Sequence, residues 1–200
     1  MRKPVRLSRL ILLLPPFFCL SSCNDDKNDV YPSIITEMAD CPTDDEGTMR
    51  AILLDDDTRL TLTNPQTGLK PSVTYRALAG FTRQADRQAT LYSLTAAPLL
   101  RDSTAVAVCD PVGVASLWRT GRYLNLHLLP KTQGQGRQTW GYIVDSIADR
   151  HAYLRLHHRQ DTDPTAYSTD LYASLPLFEV DADQFTIRIE TFQGPREWDL

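Results

Sequence analysis

Three histidines and two aspartates, His151, His157, His158, Asp161 and Asp163, fall within a short stretch of the chain, and these are side-chain types that metal ions take as ligands. His157 and His158 are adjacent, however. Neighbouring side chains on a strand leave opposite faces, so the two cannot reach one ion without a bulge. A structural role is expected instead, with one histidine hydrogen-bonding across the following loop and Asp163 as its candidate partner. Asp55-Asp56-Asp57 offers oxygens to a hard cation, but Leu60 stands where a calcium loop places its glycine, so an acidic hairpin tip is expected. Gly134-Gln135-Gly136 lacks the third glycine and the following helix of a phosphate cradle. The sequence contains no Gly-x-Ser-x-Gly, His-Glu-x-x-His or Cys-x-x-Cys, and its 25 acidic residues single out no pair for glycoside hydrolysis. The chemistry expected is therefore binding rather than catalysis, with no cofactor and no metal.

Aromatic residues suggest where such binding would occur. Trp118, Tyr123, Trp140, Tyr142, Tyr153, Tyr167 and Tyr172 crowd into the second half of the chain. Exposed aromatic rings stack sugars, although aromatics on strands more often fill the core or pair across it. Tyr123 lies opposite Leu124, Leu126 and Leu128 in the alternation, which makes it the ring to test for exposure. Trp118, Tyr123, Trp140, His158 and Asp163 form the candidate binding surface.

The N-terminus decides the compartment. Arg2, Lys3, Arg6 and Arg9 precede an apolar run from Leu10 to Leu20, the layout of an export signal. The run is broken by Pro15 and Pro16 and is shorter than the roughly 20 residues a spanning helix needs. It ends in Leu20-Ser21-Ser22-Cys23, which resembles the lipobox of bacterial lipoproteins. That resemblance implies cleavage before Cys23 and lipidation of its thiol, the alternative being an ordinary secretory signal with a stray cysteine. Two or three acyl chains, at about 0.8 kcal/mol per methylene, would anchor the chain permanently. Asn24-Asp25-Asp26-Lys27-Asn28-Asp29 then reads as a solvated tether. It also resembles the acidic surface-export signal of Bacteroidota lipoproteins, the alternative being a plain spacer. An outer-membrane protein facing the cell surface or the periplasm is expected.

Removal of residues 1–22 leaves 178 residues with 17 Lys+Arg against 25 Asp+Glu, a net charge of −8. Nucleic-acid phosphates would be repelled, and nucleic-acid partners are excluded. With Cys19 removed and Cys23 lipidated, Cys41 and Cys109 remain. They are either a disulfide, worth about 4 kcal/mol for a loop of this length, or two buried free thiols.

The elements that must position these residues read as strands. Met49 to Leu54, the acidic turn and Leu60-Thr61-Leu62-Thr63 form a hairpin, and Val73 to Leu78 and Ala89 to Leu94 are further strands. Asp110-Pro111 interrupts. A second set follows: Val114 to Trp118, Tyr123 to Leu128, Trp140 to Ile147, Tyr153 to His157, Leu171 to Leu177, Phe185 to Thr191 and a last segment after Gly194-Pro195. Such spacing suits a small barrel followed by a sandwich.

Asp110-Pro111-Val112, Leu117-Trp118 and Gly121-Arg122-Tyr123-Leu124-Asn125-Leu126 together resemble the start of the C-terminal sandwich of NigD-like lipoproteins from Bacteroidota. The leucine-rich strand Leu154-Arg155-Leu156-His157-His158, with Asp163 beyond it, is similar to that family too. The first segment resembles its N-terminal OB-type domain through Leu53-Leu54-Asp55-Asp56 and the strand around Val73 to Leu78. Thr58 stands where the family often has a glycine. The resemblance implies an all-β chain: a signal peptide over 1–22, an acidic tether over 23–45, an OB-like barrel over 46–110 and an immunoglobulin-like β-sandwich over 111–200. It supplies no catalytic residue. Its name concerns bacteriocin production or immunity. A membrane-tethered, non-enzymatic module for a protein or glycan is expected, with immunity against a peptide toxin as one alternative and an unrecognised hydrolytic site as another.

Overall fold

The short alternating segments of the first half curl into a closed barrel because one side of each strand is apolar and small. In the computed structural model, which describes residues 32–103 and 109–200, these are β1 (Ile35–Pro42), β2 (Met49–Leu54), β3 (Arg59–Gln66), β4 (Thr74–Arg83) and β5 (Gln88–Ala96). Their order around the barrel is β1-β2-β3-β5-β4, with β4 returning to β1 and a parallel β3–β5 pair. This is a five-stranded barrel of OB type. Ala39, Ala77, Ala79 and Ala89 leave room inside for Ile52, Leu60 and Phe81. The signal peptide, Cys23 and the acidic run at 24–29 lie outside the described residues.

Residues 35–42, expected within the tether, instead form the strand β1. Glu37 and Asp40 make the segment read as polar, while Ile35, Ala39 and Cys41 join the barrel core. The apolar signal was masked because the inward residues are mostly small.

The second half contains β6 (Gly113–Thr120), β7 (Tyr123–Leu129), β8 (Lys131–Thr132), β9 (Thr139–Ala148), β10 (His151–Arg159), β11 (Tyr167–Ser168), β12 (Leu171–Pro176), β13 (Gln184–Thr191) and β14 (Gly194–Asp199). One sheet has the order β12-β7-β6, the other β14-β13-β10-β9, and β8 pairs with β11 as a small flap. Leu124, Leu126 and Leu128 of β7 share a core with Leu154 and Leu156 of β10 and Ile187 of β13. Each such buried side chain is worth about 1.5–3 kcal/mol. The linking segment enters this half before the expected boundary between residues 110 and 111. Leu99 bridges Ser174, Asp102 bridges Tyr142, and Leu100 is 2% exposed in the sandwich core. Barrel and sandwich together make one compact unit over 32–200.

Candidate functional site

Two polar constellations stand out, and they are built differently. The first lies where the barrel wall meets the β6–β7 sheet. Arg76 projects from β4, and its guanidinium grips Asp55 with two hydrogen bonds, Nη1 to Oδ1 at 2.5 Å and Nη2 to Oδ2 at 2.8 Å. It also reaches Asp40 at 3.2 Å, Asn125 Oδ1 at 3.1 Å and Ser174 Oγ at 3.1 Å. Asn125 donates to Asp55 and Thr120, Ser174 donates to Asn125, and Thr120 donates to Asp55. Tyr123 lies under the guanidinium, 3.9 Å from ring centroid to Cζ, and its hydroxyl donates to Asp40 at 3.1 Å. Two carboxylates face one guanidinium whose side chain is 2% exposed. A buried charge persists only when paired and hydrogen-bonded, and this set supplies both. Burial, helped by the adjacent Asp40 carboxylate, pushes the Tyr123 phenol above its ordinary pKa.

Tyr123 is therefore not an exposed platform: it is 6% exposed. The alternation correctly separates it from the leucine face, but the opposite face of β7 is also covered, by the barrel wall. The acidic hairpin tip has a further role for the same reason. The β6–β7 turn presses on it so closely that a Cβ on Gly121, at φ +48°, would lie 2.2 Å from the carbonyl oxygen of Asp55.

The second constellation lies at the flap of the sandwich. Trp140 of β9 stacks on His158 of β10, with ring centroids 3.9 Å apart and planes at 12°. The histidine has an oxygen at each ring nitrogen, the Asp110 carbonyl 3.1 Å from Nδ1 and Gln138 Oε1 3.2 Å from Nε2. Burial pushes its pKa below the ordinary value, against the opposing pull of Asp110. Gln138 donates through Nε2 to the Lys131 carbonyl at 3.0 Å and to Asp163 at 2.8 Å. Asp163 also accepts from the Thr132 hydroxyl at 2.5 Å and from the Gln133 N–H at 3.1 Å. These donors hold its carboxyl below the usual range, the Thr132 hydroxyl foremost. Asp163 thus meets His158 only through Gln138, and not directly as expected. Its task is to pin the loop 133–137 against β11's approach, where Gly136 passes so near that a Cβ would sit 2.1 Å from the Asp163 Cα.

Above this scaffold opens a cleft of about 280 Å³, lined by Trp140, Thr132, Gln138, Asp163, Thr169, Asp170 and their neighbours. Its wall combines one half-buried indole with hydroxyl, amide and carboxylate groups. Trp140, His158 and Asp163 are thereby brought together, while Trp118 and Tyr123 belong to the barrel–sandwich junction. The remaining three histidines are dispersed: His127 donates to Asp170 at 2.6 Å and stacks on Tyr172, His151 pairs with Thr186 at 2.8 Å, and His157 is buried at 3% exposure. Among the described residues no three His, Cys, Asp or Glu side chains converge to hold a metal ion. Cys41 and Cys109 are free thiols, not a bridge. Cys41 faces the barrel core, where burial pushes its pKa up to about 12, whereas Cys109 is half-buried in the segment leading to β6.

Arg76, Asn125 and Ser174 escaped the sequence reading because they are far apart in the chain. The one available signal was Asn125, a polar residue inside the leucine strand of β7.

Neither a family model nor a curated protein sequence matches the chain. Solved structures do. A NigD-like immunity protein from Bacteroides caccae is similar at 22% identity with a TM-score of 0.65, over 84% of this chain and 93% of that one. A protein described as toxin-related from Parabacteroides distasonis is similar at 21% identity and TM-score 0.67, over 84% and 92%. A protein described as a lipoprotein from Bacteroides fragilis gives 13% identity and TM-score 0.59, over 84% and 96%. The fold of this chain is the barrel-plus-sandwich fold of these Bacteroidota proteins, as the NigD-like resemblance implied.

Proposed function

We propose that the chain is a lipid-anchored outer-membrane protein whose folded body is a non-enzymatic binding module, and that the Trp140 cleft is its ligand site. One observation carries the site: a half-buried indole backed by His158 and flanked by polar groups already held in place. An aromatic face beside fixed hydroxyl, amide and carboxylate groups suits a ligand with an apolar ring face and a polar rim, as a sugar has. The binding groups are pre-positioned, which lowers the ordering cost of association. Asp163 is engaged by donors on both oxygens, which favours a scaffolding role over proton transfer. The lipoprotein part rests on the Leu20-Ser21-Ser22-Cys23 motif and on the name of the Bacteroides fragilis neighbour.

The purified body should be retained by polysaccharide from the bacterial envelope, and Trp140→Ala should abolish retention; because the indole also packs on His158 and the sandwich core, the variant's unfolding midpoint should fall while its unfolding stays cooperative. Equal retention of parent and variant would remove the cleft from the reading. Labelled palmitate should enter the full chain and be absent from Cys23→Ser.

A second reading, immunity against a peptide toxin, is favoured by the names of two structural neighbours. It requires a deletion strain to be killed by spent medium from competing strains that the parent survives. Equal survival would count against it.

A further inference from the structure

The junction between barrel and sandwich leaves a second, separate cavity of about 210 Å³ beside Trp118. Its wall is formed by Glu37 and Met38 of β1, Leu78 of β4, Asp55, and Trp118 and Thr120 of β6. We propose that this cavity is a socket for an arginine side chain of a partner polypeptide.

Size sets the first limit. The cavity is smaller than the flap cleft, about 210 against about 280 Å³, and falls well short of the roughly 300 Å³ at which pockets for free small molecules begin, so it fits a single side chain better than a whole ligand. The chemistry of the wall sets the second. Met38, Leu78 and Trp118 offer an apolar channel to the methylene stem of a long side chain, and the indole suits the planar guanidinium at its end. Charge sets the third. Asp40 and Asp55 share the guanidinium of Arg76, so these three groups carry a formal excess of one negative charge beside the cavity. Both Asp55 oxygens already accept hydrogen bonds, so Asp55 contributes field rather than contact. Glu37 is the group placed to receive the incoming cation directly. Its present partner is Arg83 at 3.1 Å, in a half-exposed pair that an incoming guanidinium could displace at little cost. Carboxylate recognition by a planar fork is also geometrically selective, which distinguishes arginine from a neutral side chain of equal length.

The probe is a blocked tripeptide, acetyl-Gly-Arg-Gly-amide, titrated into the lipid-free body with the tryptophan indole N–H signals followed by NMR. The sequence holds three tryptophans, Trp118, Trp140 and Trp198, so the responding ring identifies the site. A saturating shift confined to Trp118 is expected, with no shift from the citrulline tripeptide, which has the same shape without the charge. Glu37→Gln should weaken binding about fivefold without unfolding the protein, and Trp140→Ala should leave it unchanged. Silence of the Trp118 signal at millimolar peptide, or an equal shift with citrulline, would overturn the proposal. Because Trp140→Ala reports on the sandwich cleft and Glu37→Gln on this socket, failure of one reading is visible apart from failure of the other.

Discussion

The junction and the flap cleft each contain a carboxylate held by several donors, yet they use it in opposite ways. Asp55 is gripped by the Arg76 guanidinium of β4 and by neighbours from β6 and β7, so its hydrogen bonds cross from barrel to sandwich. Asp163 accepts only from uncharged groups of its own half, Thr132, Gln133 and Gln138. A charged network excluded from water is costly to break, because any member left alone is an unpaired buried ion. A network of neutral donors around one ion is cheaper to loosen and can border an open cleft. The lesson is that the junction is built for rigidity and the flap for access.

The sharpest way to break this contrast is to remove the charge at the junction. Arg76→Ala strands Asp55, and Asp40 with it, and should cost about 3–5 kcal/mol in urea unfolding. A loss under about 1 kcal/mol would show that water reaches the network and that the junction is not rigid. The two close-packed glycines come next. Gly121→Ala meets both a left-handed backbone, φ +48°, and the Asp55 carbonyl, and should cost at least about 2 kcal/mol. Gly136→Ala meets the Asp163 backbone, but its loop is exposed from 133 to 137 and can swing away. It should lower ligand retention more than stability, and equal stability losses for the two variants would erase the distinction.

Much of this architecture was legible in the sequence, for a specific reason. Strands such as β3 and β7 carry large apolar residues in strict alternation, so their faces could be assigned directly. β1 was missed because alanine and cysteine fill its inner positions and acidic residues flank them. Tyr123 was assigned to the correct face of β7, but one strand cannot reveal that a barrel covers that face. Of the candidate residues, Trp140, His158 and Asp163 do meet, since His158 pairs with Trp140 across the β9–β10 hairpin and Asp163 follows in the loop after β10. The Arg76 network was invisible because its members are joined by tertiary packing rather than by spacing along the chain.

Acid should separate the two constellations. Donors to Asp163 hold its folded pKa below the unfolded value. Its contribution is therefore fully present above the ordinary carboxylate pKa, about 3.9, and is lost as pH falls through the lowered folded value. The Trp140 indole signal should move in that acidic window before global unfolding, and Asp163→Asn should remove the early change. If the Trp118 signal moves first instead, the junction is the weaker of the two.

The smallest expected effect tests the junction most finely. Tyr123→Phe keeps the ring beneath Arg76 and its edge-on contact with Phe178, at 5.8 Å between centroids. It removes only the hydroxyl that donates to Asp40. The loss at neutral pH should be about 1.5 kcal/mol, the lower end for a hydrogen bond to a charged acceptor. At alkaline pH the difference should narrow. The folded Tyr123 phenol has a raised pKa, so wild-type stability is full below the unfolded value near 10 and declines as pH rises toward the folded one. Tyr123→Phe lacks that decline, although Tyr142, pushed up to about 12, contributes a similar one to both proteins. Parallel stability curves from pH 8 to 11 would mean that Tyr123 titrates as it would in water, and that the barrel does not seal this face of β7.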